Sequence, residues 1–101
     1  WSEGPSLKKL PSEYMRDFYY SSQPMEIPDR MDVLEMTFDM IDAENKLMWC
    51  SDYPHWDMDV PSVIYDLPFL DERQKHKILG GNAIDLFGLD VSDRFPNYKP
   101  A

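Results

Sequence analysis

Two β-favouring runs flank a single amphipathic helix, and that order limits the fold more than any other feature of the chain. "DFYYSS" (17–22) carries Phe18, Tyr19 and Tyr20, and the prolines of "QPMEIPDR" close it, which predicts a short strand near 17–21. "DRMDVLEMTFDMIDAENK" (29–46) sets Val33, Leu34, Phe38 and Ile41 along one helical face with Met40 beside them, predicting a helix over about 30–43. Asp29 can cap it through backbone N–H bonds, and "AEN" ends it. "KLMWCS" (46–51) is then a short apolar run reached by a tight turn and reads as a buried strand. Strand, helix and strand within about 35 residues form a βαβ unit, which implies parallel pairing and a right-handed crossover.

Two parallel strands do not stand alone. They leave two open edges, and roughly three or more strands are needed for independent stability. All-parallel sheets also have both faces covered. The chain is therefore expected to need neighbours. Its opening residues, "WSEGPSLKKL", start at Trp1 and read as the interior of a longer polypeptide.

The C-terminal half is helical in outline, over about 61–89. "PSVIYDLPFL" (61–70) predicts a short helix that Pro68 stops. In "LDERQKHKILGGNAIDLFGL" (70–89), Asp71 and Gln74 have capping-box spacing, and Gly80-Gly81 reads as a helix stop. Asn82 would cap a last turn whose Ala83, Ile84, Leu86 and Phe87 face the core, and "DVSDRFPNYKPA" reads as a loose tail.

Composition narrows the function. The 101 residues amount to one domain at most, since single domains run to about 100–200 residues. A formal charge of -9 argues against nucleic acid and against anionic membrane surfaces as partners. No apolar run approaches the ~18 residues of a spanning helix. Cys50 is the one cysteine, which fits a reducing compartment, and a cytoplasmic location is expected.

The candidate site is "WCSDYPHWDMD" (49–59), directly after the second apolar run. A surface loop could carry acids without rings and a core strand rings without acids; together they suggest a strand that ends at a site. Asp52 is a hard carboxylate that could bind a divalent ion and accept a proton, or else cap the loop. His55 could bind substrate, orient Asp52 or reach a second metal, or else pack on Trp56 or bond to backbone. Asp57 and Asp59 read as loop caps. In an extended strand Cys50 and Asp52 point to the same side; a Cys50–His55 nucleophilic pair is conceivable, although a small buried cysteine is the commoner case. Tyr19 and Tyr20 read as packing and His76 as part of a solvated helix face.

"LKKLPSEYMRDFYYSSQP", "WCSDYPHWD" and "ILGGNAIDLFGL", in that order and spacing, resemble the C-terminal end of the amidohydrolase-related family (amidohydrolase 2), which includes the aminocarboxymuconate-semialdehyde-decarboxylase-like enzymes. The resemblance spans roughly residues 1–89. It implies an α/β fold, the last βα units of a (β/α)8 TIM-type barrel that is incomplete as a single chain. Asp52 would then lie at the C-terminal end of the eighth strand, where barrel enzymes gather their chemistry.

The resemblance further implies a metal-dependent hydrolase or non-oxidative decarboxylase, with Asp52 as metal ligand and proton acceptor, the one site residue it maps; His55 is the second catalytic candidate on the reading of the loop itself. Tyr53, Trp56 and Gln23 would line the substrate pocket. The ion would be zinc first, with manganese or iron behind it; the partners would be the rest of the barrel and a small-molecule substrate, in an oligomer. The family's early His-x-His pair has no counterpart here, because His55 and His76 are the only histidines. Two rival readings follow: a metal-free accessory subunit, or an acidic interaction module that binds a partner through the 29–43 helix.

Overall fold

The computed structural model describes residues 8–99. Residues 1–7, read above as the interior of a longer chain, and the last two residues of the tail lie outside it. The elements are α1 (Pro11–Asp17), β1 (Tyr20–Ser21), α2 (Met31–Met40), α3 (Ala43–Lys46), β2 (Leu47–Met48), α4 (Ser62–Tyr65), α5 (Glu72–His76), a π-helical turn (Lys77–Gly81) and α6 (Asn82–Phe87). No helix among the described residues is long and apolar enough to cross a membrane.

β1 and β2 pair in parallel, Tyr20 opposite Leu47 and Ser21 opposite Met48, so the expected βαβ order is present as a two-stranded sheet. Both strands are shorter than the sequence pattern suggests. At the front, residues through Asp17 belong to α1 instead, where Pro11 opens the helix and the Glu13 carboxylate accepts from the Leu10 N–H at 2.9 Å. At the far end the ladder is completed by a side chain. The Ser22 N–H donates to the Met48 carbonyl at 3.0 Å, and the Ser22 hydroxyl accepts from the Cys50 N–H at 3.2 Å. Ser22 is buried, and the hydroxyl takes the place of a backbone acceptor for the third rung.

α2 buries Leu34 and Phe38, one turn apart, while Val33 and Met40 are exposed, so the apolar stripe is narrower than expected. Phe38 meets the edge of Phe69 with ring centroids 5.2 Å apart. The helix begins one residue later than expected. Arg30, not Asp29, occupies the cap position, and its guanidinium pairs with Asp32 in the first turn. It also ends earlier, at Met40, where Arg16 of α1 donates to the Asp39 carbonyl at 2.6 Å. Asp42 then adopts φ 53°, a left-handed turn that Asp tolerates, and α3 follows.

The core is Leu34, Phe38, Ala43, Leu47, Ile64, Leu67 and Ile78, which locks α2, α3, β2, α4 and the π-helical turn together. Asp71 and Gln74 form the expected capping box, with the Gln74 N–H on the Asp71 carboxylate at 2.7 Å. Gly80-Gly81 does not stop the helix. Both glycines lie inside the π-helical turn, and the helix runs on to Phe87, where Gly88 at φ 61° ends it. Leu86 and Phe87 are exposed rather than turned to the core.

Asn82 is not a cap but a buried bridge. Its side-chain amide donates to the carbonyls of Glu44 at 2.8 Å and Leu47 at 2.9 Å, tying α6 to the start of β2. Asn82→Ala would strand both acceptors, and we expect a loss of about 1–3 kcal/mol in unfolding free energy. A denaturant titration checks this, with a midpoint shift at unchanged slope as the expected result.

Candidate functional site

β2 points its C-terminal end at the loop 49–59, and the backbone holds that loop closed. The Trp49 N–H donates to the Ile78 carbonyl at 2.9 Å, the His55 N–H to the Asp52 carbonyl at 2.8 Å, and the Asp59 N–H back to the Ser51 carbonyl at 2.9 Å. Asp52 has φ 56°, in the left-handed region. A non-glycine residue there costs roughly 1–2 kcal/mol, and Asp is among the side chains that reduce it by bonding locally. Because the chain leaves the strand after Met48 and turns at Asp52, the alternation that would set Cys50 and Asp52 on one side does not extend to Asp52. Cys50 is exposed and is not in the group of side chains that converge here.

That group is Asp52, His55 and Asp57, whose ligand-capable atoms all lie within 4.8 Å of one another. The His55 Nδ1 is hydrogen-bonded to the Asp57 carboxylate and is 3.8 Å from the Asp52 carboxylate. Asp57, read from the sequence as a loop cap, is therefore the direct partner of the histidine. The hydrogen bond that the ring donates to Asp57 raises the His55 pKa above its ordinary value near 6.5; partial desolvation opposes the shift, and the charges of Asp57 and Asp52 add to it. The same bond holds the Asp57 carboxyl below its ordinary range.

The sign of the pH dependence follows. What the pair contributes through His55 is present below the ordinary imidazole pKa and fades as pH rises through the raised value. What it contributes through Asp57 is present above the ordinary carboxyl pKa and fades as pH falls through the lowered value. We expect Asp57→Asn to move the His55 titration to lower pH, read from the ring C–H resonances. An unmoved midpoint would show that the contact is not maintained in solution.

The remaining candidates are placed as follows. Tyr53 and Trp56 are 76% and 88% exposed, so no neighbour among the described residues covers either ring. The Trp56 ring stands 5.9 Å from that of His55. Gln23 is half-buried and its Nε2 donates to the Asp57 carbonyl at 2.9 Å. Asp59 accepts from the Met25 N–H at 3.0 Å. Tyr20 donates to the Met15 carbonyl at 2.7 Å, and Tyr19 lies under the Lys46 ammonium, so both have structural partners. His76 is exposed at the end of α5. The two ties from the loop after β1, made by Gln23 and Asp59, could not be anticipated from spacing, because each spans 34 residues.

Two carboxylates and an imidazole are oxygen and nitrogen donors of the kind that zinc, manganese and ferrous iron accept. A protein-family model described as Amidohydrolase matches residues 2–89 of the chain. No curated protein matches it.

Proposed function

The chain belongs to this amidohydrolase family, and from that premise we propose that it forms the C-terminal part of a metal-dependent barrel enzyme acting on a small molecule, by hydrolysis or by non-oxidative decarboxylation. The observation that carries the reading is the convergence of Asp52, His55 and Asp57 at the C-terminal end of a parallel strand pair. In (β/α)8 enzymes that end of the strands is where the chemistry sits. The sheet has only two strands among the described residues, so the other staves come from the rest of the barrel, in the same polypeptide or a partner chain.

Members of this family usually hold a divalent metal, and the donor set fits one. Asp52 is the residue that would hold it, with zinc first and manganese or iron behind; further ligands would come from the remaining strands. Asp57, bonded to His55 Nδ1, fixes the ring in the way that outer carboxylates orient histidines at metal centres. A bound ion would acidify a water molecule to a pKa near 7. Asp52 accepts and returns the proton in the hydrolytic version. His55, its Nδ1 held by Asp57, offers its other ring nitrogen to a polar group of the substrate in either version. Tyr53 and Trp56 close the pocket wall once the other strands are in place.

The test is metal removal. Stripping the assembled protein with a chelator should abolish turnover, and zinc, manganese or ferrous iron should restore it together with stoichiometric metal by elemental analysis. Turnover indifferent to stripping would sink the metal-dependent reading.

A further inference from the structure

We propose that Gln23 and Asp59 form a clasp between the loops that follow β1 and β2, and that they are positioning residues for His55 rather than pocket lining or a loop cap. The clasp rests on the reading of this rim as the working face of the enzyme. Its structural basis is a division of labour within two short loops. Asp52, Tyr53, His55 and Trp56 are exposed, whereas Gln23 and Asp59 are half-buried and each spends one side-chain polar atom on a backbone group of the opposite loop.

The two ties act at different places. Gln23 Nε2 donates to the carbonyl of Asp57 at 2.9 Å, on the residue whose carboxylate holds His55 Nδ1. Asp59 closes its own loop, its N–H on the Ser51 carbonyl at 2.9 Å, and its carboxylate reaches across to the Met25 N–H at 3.0 Å. Together with Ser22, which joins β1 to Cys50, they bind the segment 22–25 to the segment 50–59 at three points. The His55–Asp57 bond is thus built on a backbone that the loop after β1 holds from behind. Without the clasp, Asp57 could withdraw from the ring while both strands remained paired, because the β1–β2 ladder runs through Ser22 and does not use either residue. Misplacement of a catalytic group by about 1 Å is enough to cost around a hundredfold in rate.

The experiment uses the assembled protein with nitrogen-15-labelled histidine, the His55 signal being assigned by its loss in His55→Gln. Gln23→Glu is nearly isosteric but removes the donor to Asp57; Asp59→Ala removes the acceptor for Met25; Asp59→Asn keeps an acceptor oxygen. We expect the low-field Nδ1 proton of His55 to weaken or shift in Gln23→Glu and Asp59→Ala and to be retained in Asp59→Asn. Turnover should follow the same order, with kcat down about tenfold and KM changed by less than about twofold. An unchanged Nδ1 signal in Gln23→Glu and Asp59→Ala overturns the clasp, as does equal loss in Asp59→Asn. The spectrum is read without substrate, so it decides the clasp even where Asp52→Asn or metal stripping leaves turnover intact, the results that would defeat the enzyme reading instead.

Discussion

Asp52→Asn in the assembled enzyme is expected to lower turnover by about 10²–10⁴-fold, the range lost with a general base, while leaving the fold intact. The substitution is unusually clean at this position. Asp52 adopts φ 56°, and Asn is as much at ease in the left-handed region as Asp. The side chain is half exposed, so no packing is lost, and the backbone carbonyl that accepts the His55 N–H is untouched. What changes is the charge and the ability to take a proton. Steady-state kinetics with circular dichroism on the same samples would separate the two. An unaltered spectrum with a collapsed kcat supports the role; full activity removes Asp52 from the mechanism.

Ile78→Ala is expected to cost about 2–5 kcal/mol, from deleting three buried carbons and leaving a partly unfilled cavity. Ile78 is 1% exposed, and it sits in the π-helical turn between α5 and α6, against the strand. Its carbonyl also receives the Trp49 N–H, so a shift of this turn is felt at the first residue of the site loop. Equilibrium denaturation should show a lower midpoint with an unchanged slope. A loss below about 1 kcal/mol would mean that the surroundings collapse into the space, as the spread of such measurements allows.

What was legible in the sequence was the part decided locally. Leu34 and Phe38 at helical spacing, the Asp71–Gln74 box and the strand–helix–strand order are all present. α1 could have been read as well: Pro11 at the first helical position and Glu13 reaching back to the Leu10 N–H are local start signals, outweighed by the rings that follow. Gly80-Gly81 could not be read, because glycine is permitted in a helix and the choice to continue is made by Asn82, whose two acceptors lie 35 and 38 residues away. The site divides in the same way. Asp52 and His55 are three residues apart and are conspicuous in the sequence. The Asp57 contact with His55 is local to one loop, whereas the ties made by Gln23 and Asp59 each span 34 residues and emerge only when two loops meet.

The π-helical turn at Lys77–Gly81 carries one residue more than an α-helical path would need over the same span. Removing that residue, for instance by deleting Gly80, would restore ordinary winding and rotate everything beyond it by roughly 100°. Asn82 would then swing off the strand, and the carbonyls of Glu44 and Leu47 would face a different side chain. Locally, shortening would relax the helix; globally, it would unfasten the helix from the sheet.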